Sequence, residues 1–159
     1  MENLNFTVTD DLLASKGQRF LNFIIDLLIQ YILLLSLRTT VSIIADITKN
    51  FNLSNWIDSM SAWEQFISGI ITLLFYYNLT EMYLSRSLAK FTTSTIVVTK
   101  LGLKPDNKTI FWRTLCRLIP FEALTFFNKD LRGLHDTLSE TYVVKKKLLE
   151  TRKGIVLMP

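Results

Sequence analysis

The stretch from Gln18 to Leu37 reads QRFLNFIIDLLIQYILLLSL, and it decides how the rest of the chain is interpreted. From Phe20 onward it is almost entirely apolar. A helix rises 1.5 Å per residue, so this part spans ~27 Å, close to the ~30 Å hydrocarbon core of a bilayer. The stretch therefore predicts a transmembrane helix, which we place at about residues 19–40.

Four polar side chains interrupt this helix and fall on one face of it. Arg19 and Asp26 are two turns apart, and Asn22 and Gln30 lie four residues on either side of Asp26. A carboxylate at membrane depth costs roughly 2.5–3.5 kcal/mol on insertion scales, so Asp26 needs a partner or a bound proton. Two interpretations stay open: a fixed polar cluster, or a site where Asp26 binds and releases a proton or Na⁺.

The composition limits the classes of protein that fit. The chain has 159 residues, of which 49% are hydrophobic, and its mean hydropathy of +0.28 is high for a soluble protein of this size. A single cysteine, Cys116, excludes an internal disulfide and a cysteine-based zinc site. Nucleophile elbows, phosphate loops and HExxH motifs are absent, and only the pair His135-Asp136 suggests a catalytic dyad. We expect no enzyme activity, metal or cofactor.

A second span is predicted at about residues 63–84, where an apolar run has aromatic residues toward both ends. Its small and polar residues recur at helical spacing, which predicts close packing against the polar stripe of the first helix. These residues are Gln65, Ser68, Gly69, Thr72, Tyr76 and Thr80. Fourteen of the eighteen Lys and Arg follow residue 85, whereas residues 38–62 carry two basic and two acidic side chains. The positive-inside rule then places both termini in the cytoplasm.

The basic C-terminal half predicts a small cytoplasmic sheet with a helix between its strands. Two β-branched runs, at about residues 94–100 and 141–147, predict strands that pair. The segment at about 108–127 predicts an amphipathic helix in the membrane interface, with a re-entrant part after Pro120. The fold class is therefore an α-helical integral membrane protein with one domain, comprising a two-helix transmembrane hairpin, a third amphipathic or re-entrant hydrophobic segment and a small cytoplasmic β pair.

Charged side chains in this half predict further contacts. Arg113 and Arg117 share one face of the interfacial helix, and their long side chains are expected to snorkel toward water. Glu122 is another acid at membrane depth, and Arg117 is its expected partner. For Asp136 two roles stay open: a helix N-cap or turn residue, and docking onto Arg113 or Arg117. In the basic tail at 145–159, the residues Lys145, Lys146 and Lys147 are expected to face anionic lipid.

Four separate pieces of the chain, and the order in which they follow one another, resemble the RDD family of small bacterial membrane proteins. The family is named for one arginine and two aspartates, and RFLNFIID supplies Arg19 and Asp26 while GLHDTLSETYVV supplies Asp136. SLAKFTTSTIVV and RTLCRLIPFE are also similar, and the form RLIPFEALTFF resembles members from Bacteroidota. The chain departs from the family at Ala89, where many members have Gly before Lys90. This departure weakens any interpretation that needs a close approach of backbone at that point.

The resemblance implies a multi-pass inner-membrane protein, in a family where most members have no assigned function. Transport is the usual suggestion for the family, and a few members are described as monovalent cation/proton antiporters. For this chain we expect an accessory or structural subunit of a membrane assembly, because two or three spans are too few to enclose a pathway. The alternative is a small oligomeric transporter that exchanges monovalent cations for protons at Asp26. The expected partners are membrane lipids, other inner-membrane proteins or a second copy, and not nucleic acid.

Overall fold

The structure is a computed structural model that describes residues 6–120, 122, 125 and 132–157. The helices and strands in these ranges follow the order α1 (Lys16–Ile47), α2 (Phe51–Asp58), α3 (Ala62–Leu84), α4 (Leu88–Thr92), β1 (Thr95–Thr99), α5 (Asn107–Cys116), α6 (Leu134–Leu138), β2 (Thr141–Lys145) and α7 (Lys146–Leu157). The chain divides into two compact units. The first lies within residues 1–26 and 77–159, and the second comprises residues 27–76.

Helix α1 contains the predicted first span and is longer than expected. It continues past residue 40 through the run VSIIADI to Ile47. Its most apolar 18-residue window has a mean hydropathy of 2.1, and 17% of that window is buried in the protein. Among the described helices it alone is long and apolar enough to cross a membrane. Helix α3 covers the predicted second span, but its crossing of the membrane stays a prediction.

The second unit includes a short helix, α2, in the polar stretch between the two predicted spans. Asn50 starts this helix, because its side-chain oxygen accepts a hydrogen bond from the backbone N–H three residues further on, at 3.2 Å. Arg38 ties α1 to the end of α2, since its Nη2 donates to the carbonyl of Ile57 at 3.4 Å. A reciprocal capping box of Ser61 and Glu64 then starts α3.

The predicted close packing through the small residues of α3 is wrong at Gly69. A Cβ placed on Gly69 would meet nothing within 4 Å. Ser68 Oγ donates to the carbonyl of Gln65, and Thr72 Oγ1 donates to the carbonyl of Ser68, both at 2.8 Å. These hydroxyls therefore bond to their own helix, as Ser and Thr within helices commonly do, and Gly69 does not admit a neighbouring backbone.

The first unit contains the predicted pair of strands. β1 and β2 pair in antiparallel fashion, with Val97 opposite Val143. The segment before α1 lies along this sheet, where the N–H of Ala14 donates to the carbonyl of Val143 at 2.9 Å. Helix α7 follows β2 directly and occupies most of the predicted basic tail. Between these elements lies a buried apolar cluster of Leu12, Leu13, Val98, Val144 and Leu149.

Helix α5 covers the first half of the predicted interfacial segment. Asp106 caps it by accepting a hydrogen bond from the N–H of Thr109 at 3.1 Å. The helix ends at Cys116, four residues before Pro120, and a proline ring clashes with the carbonyl four residues back. Residues 121, 123, 124, 126 and 127 belong to the predicted re-entrant part and lie outside the described residues, so that part stays a prediction.

The two glycines Gly102 and Gly69 give opposite expectations for substitution by alanine. Gly102 has φ of +69°, and a Cβ there would lie 2.7 Å from the Phe6 ring. We expect Gly102→Ala to lower the free energy of unfolding by roughly 1–2 kcal/mol, because the left-handed backbone disfavours a side chain. We expect Gly69→Ala to leave it unchanged or raise it by up to about 1 kcal/mol, since alanine is the better helix former. Unfolding in one detergent measures both, and the reverse ranking would contradict this account.

Candidate functional site

The first unit holds a network of buried charges, and one ion pair in it joins positions far apart in the chain. Arg19 lies in the first turn of α1, and Asp136 lies in α6. The Nη1 of Arg19 pairs with Oδ2 of Asp136. Both side chains are shielded from solvent, with exposures of 3% and 0%. The pair therefore attaches the start of the candidate membrane helix to the segment before β2.

The geometry of α6 directs the Asp136 carboxylate into this network. Asp136 is the third residue of α6, and its Oδ2 accepts a hydrogen bond from the N–H of Gly133 at 3.3 Å. A carboxylate in the first turn of a helix bonds the free N–H groups there. The N-cap of α6 is Gly133, so Asp136 is not the N-cap that the sequence suggested. The docking role is present, because the same carboxylate also contacts Arg113.

Arg113 bridges two carboxylates at the centre of the network. Its Nη2 lies 2.7 Å from Oδ1 of Asp136, and its Nε lies 3.2 Å from Oε2 of Glu81. Both contacts are ion pairs whose angles are poor for hydrogen bonds. A third contact is a hydrogen bond from Nη1 to Thr141 Oγ1, at 3.1 Å. The predicted snorkelling of Arg113 toward water is wrong, since its side chain is fully buried and its charge is compensated inside the protein.

Glu81 is a central residue that the sequence analysis did not single out. It lies in α3, is fully buried and pairs with three cations. Lys90 Nζ lies 2.7 Å and Arg117 Nη2 lies 2.9 Å from its Oε1, in addition to the contact with Arg113. The sequence did contain a signal for Glu81, because it is an acidic residue within the predicted second span. A carboxylate buried there requires opposite charges around it.

Asp26 accepts hydrogen bonds at the start of α4. Ser87 Oγ donates to its Oδ2 at 2.6 Å, and the N–H of Ala89 donates to its Oδ1 at 3.2 Å. Tyr77 contributes a further side-chain hydrogen bond. A close approach of backbone therefore does occur at Ala89, although the absence of Gly had weakened that interpretation. The peptide N–H reaches the carboxylate, and the Ala89 side chain, which is 0% exposed, fits there.

The other two members of the predicted stripe, Asn22 and Gln30, lie in different units. Asn22 joins α1 to β1, because its Nδ2 donates to Thr95 Oγ1 at 3.2 Å and its Oδ1 accepts from Thr93 Oγ1 at 2.7 Å. Gln30 belongs to the second unit and is half-buried. The network in the first unit therefore includes Arg19, Asn22 and Asp26 from the stripe.

Glu122 and Arg117 are not paired with each other in the way that the sequence suggested. Glu122 Oε1 contacts Nδ1 of His135, while Nε2 of the same ring lies 3.3 Å from Asp136. Arg117 instead pairs with Glu81 and stacks on the ring of Tyr77, with its guanidinium carbon 3.7 Å from the ring centre. The i, i+4 spacing of Arg113 and Arg117 explains this, because both side chains then reach Glu81 from one face of α5.

The pKa values of two acids outside the long helices reflect these contacts. Burial raises the pKa of Asp136, but the charges of Arg113, His135 and Arg19 outweigh burial and hold that pKa well below its ordinary value. Burial likewise raises the pKa of Glu122, while the hydrogen bond and charge of His135 bring it below its ordinary value. Both acids are therefore carboxylates at neutral pH.

The charged side chains surround a small cavity of about 30 Å³. This is room for roughly two water molecules. Polar groups on its wall come from Arg19, Asn22, Asp26, Tyr77, Lys90, Arg113, Arg117, Glu122 and His135. Apart from His135, the network is balanced, because it has four carboxylates (Asp26, Glu81, Glu122 and Asp136) and four Lys or Arg side chains (Arg19, Lys90, Arg113 and Arg117). Within the described ranges no group of three or more His, Cys, Asp or Glu is arranged to hold a metal ion.

The three lysines expected to face lipid lie outside this network. Lys145 and Lys146 are half-buried, and Lys147 is exposed at the start of α7. Lys146 Nζ lies 3.6 Å from Glu150 Oε1 on the next turn of the helix. Contact of these lysines with anionic lipid stays a prediction.

Removing one buried carboxylate tests how much of the stability depends on the network. We expect Asp136→Asn to lower the free energy of unfolding by roughly 3–5 kcal/mol, because it leaves the buried Arg19 without its carboxylate partner and leaves Arg113 with Glu81 alone. Glu150→Gln removes an exposed carboxylate and is the matched control, for which we expect little change. Denaturant unfolding in one detergent measures both variants. Equal stabilities would show that the buried pairs contribute nothing.

The lowered pKa values of Asp136 and Glu122 predict acid sensitivity. A carboxylate whose pKa is lower in the folded state stabilises that state above its unfolded pKa, and this stability is lost as pH falls toward the folded pKa. We therefore expect stability to be level from neutral pH down to about pH 5 and to fall below about pH 4. Unfolding midpoints measured from neutral pH to below pH 4 test this, and Asp136→Asn should show a shallower fall. A steeper fall in that variant would contradict the assignment.

Comparison with known proteins identifies the family. The model described as the RDD family matches residues 13–140, a range that includes Arg19, Asp26 and Asp136. No curated protein and no solved structure matches the chain. The family match covers most of the chain, and RDD is a family of membrane proteins. The chain therefore belongs to the RDD family.

Proposed function

We propose that this protein is an accessory or structural subunit of an inner-membrane assembly and that it has no enzymatic activity. The balanced charge network carries the proposal. Four buried carboxylates each contact a cation or several hydrogen-bond donors, and the remaining cavity is about 30 Å³. Such a network suits a fixed connection between membrane helices and a polar domain, since turnover of a substrate needs room and groups that change partners.

The proposed topology has two spans, α1 and α3, with both termini in the cytoplasm. The hydropathy of α1 and the excess of basic residues after residue 85 support this arrangement. A catalytic role for His135 is disfavoured, because both of its ring nitrogens face carboxylates. The partner is another inner-membrane protein or a second copy of the chain, and it would contact the exposed apolar side of α1.

A cross-link from α1 tests the proposed assembly. Ile32 is 62% exposed and Ala45, in the same helix, is 1% exposed. In a Cys116→Ser background, the Ile32→Cys variant carrying a maleimide-benzophenone is expected to give one stoichiometric cross-linked species in native membranes. The Ala45→Cys control should give none, because its side chain is enclosed. A protein that stays monomeric with both variants, and that purifies in mild detergent without a stoichiometric partner, would contradict the proposal.

Exchange of monovalent cations for protons is the second candidate, and the position of Asp26 on the cavity wall favours it. A carboxyl group beside a small polar cavity at membrane depth can bind a proton or a small cation. Everted vesicles with a pH-sensitive dye measure this activity on addition of Na⁺, K⁺ or Li⁺. Under the accessory role we expect the same signal from wild type, from Asp26→Asn and from the exposed-acid control Asp58→Asn. Loss of cation-dependent dequenching in Asp26→Asn alone would favour the exchanger.

A further inference from the structure

In helix α5 and the turn after it, the exposed side chains are apolar and the charged side chains face inward, which is the opposite of the pattern of a helix at a water-facing surface. From Ile110 to Pro120 every exposed residue is apolar, and the exposed set is Phe111, Trp112, Leu118, Ile119 and Pro120. Trp112 is 63% exposed, and its ring meets that of Phe111 edge-on, with the ring centres 6.5 Å apart. The charged side of the helix faces inward, where Arg113 and Arg117 pair with Glu81.

The neighbouring elements of the first unit show the same inversion. In α1 the side chains of Phe20 and Leu21 are exposed, at 41% and 49%, beside the buried Arg19. In the part of α3 that belongs to the first unit, residues 77–84, the exposed residues are Leu79, Tyr83 and Leu84, at 50%, 77% and 46%, beside the buried Glu81. In α4 Leu88 and Phe91 are exposed while Lys90 is buried. Charges thus lie inside and hydrocarbon lies outside on four helices that meet at one network.

Helix α7 of the same unit provides an internal comparison. Its exposed residues from Lys146 to Arg152 are all polar, namely Lys147, Glu150, Thr151 and Arg152. Leu149 on its other side is 5% exposed and belongs to the apolar cluster against the sheet. This is the ordinary pattern of a helix at a water-facing surface. One unit therefore carries one helix that suits water and another that suits hydrocarbon.

We propose that the outer side of α5, formed by Phe111, Trp112, Leu118 and Ile119, lies in the lipid at the boundary of headgroups and acyl chains. A large exposed apolar patch marks a membrane or protein contact. Lipid is favoured here because the patch has the same inverted pattern as the start of α1, where Phe20 and Leu21 are exposed beside the buried Arg19, and α1 is the candidate span. Trp112 and the exposed Lys108 one turn earlier are the residue types that anchor interfacial helices.

This placement differs from the snorkelling arrangement expected from the sequence. The arginines of α5 do not reach past the helix to water, because the protein itself compensates them. The buried network is thereby separated from lipid by the apolar side of α5, whereas the exposed side of α7 is polar. The inference concerns a lipid contact of this chain and holds whether or not the chain has a protein partner, so it stands apart from the proposed accessory role.

Fluorescence of Trp112 in vesicles tests the inference on the full-length chain. Trp56→Phe and Trp63→Phe leave Trp112 as the sole tryptophan. The protein is reconstituted in phosphatidylcholine and phosphatidylglycerol vesicles with or without lipids brominated on the upper acyl chain. We expect bromolipids to remove roughly half of the Trp112 emission, since interfacial helices bury ~5–10 Å into this layer. Aqueous acrylamide should quench it weakly.

A tryptophan on α7 is the matched control. A Thr151→Trp variant that also carries Trp56→Phe, Trp63→Phe and Trp112→Phe should give the reverse result, with strong quenching by acrylamide and little by bromolipids. Strong acrylamide quenching of Trp112 would overturn the inference by placing α5 in water. Protection of Trp112 from both quenchers would also overturn it, because a protein surface would then cover the patch.

A spin label gives an independent reading if the tryptophan variants fold poorly. Leu118→Cys in a Cys116→Ser background places the label on the same exposed side. We expect the label to be more accessible to oxygen, which partitions into lipid, than to a water-soluble nickel chelate. Greater accessibility to the nickel chelate, or no accessibility to either, would overturn the proposed lipid contact.

Discussion

The burial of charge inside a chain of high hydropathy is the constraint on which the first unit depends. A buried ion costs several kcal/mol in desolvation, and opposite charges around it offset this cost. Arg113 lies between Glu81 and Asp136, and each of these carboxylates takes further cations. Since the partners come from α1, α3, α4, α5 and α6, the network determines how these elements are joined.

The three residues for which the family is named have distinct places in this arrangement. Arg19 and Asp136 form one ion pair across 117 positions of sequence. Asp26 accepts hydrogen bonds from the start of α4 and from Tyr77. Each of them connects α1 to a segment from the C-terminal half of the chain. A structural reason therefore exists for an arginine at the beginning of the helix and an aspartate two turns later.

The inverted pattern of α5 follows from the same network. Once Arg113 and Arg117 turn inward to compensate Glu81, the side of the helix that remains outside consists of aromatic and aliphatic residues. In water such a surface would be costly, whereas in lipid it costs little. The network and the proposed lipid contact thus have one cause: the charged side chains pair with one another inside the protein, and the apolar side chains remain on the outside, where the bilayer can cover them.

Several features could be predicted from the sequence because they depend on local patterns. The apolar run after Arg19 predicted α1, the β-branched runs predicted β1 and β2, and the order of the motifs identified the RDD family. Local caps such as Asn50 follow equally local rules, but the polar composition around α2 concealed that helix. These outcomes rest on the spacing of side chains along a helix or strand, which a single sequence displays directly.

The partners of the charged residues were decided by tertiary structure alone. Arg117 pairs with Glu81 instead of Glu122, and Arg113 points inward instead of toward water. Gly69 is a further example, because its place in a row of small residues suggested close contact with another helix, whereas the space around it is open. A sequence specifies which face of a helix carries charge, but not whether protein, lipid or water covers that face. That choice depends on which segments distant in sequence supply opposite charges, and only the folded chain brings those segments together.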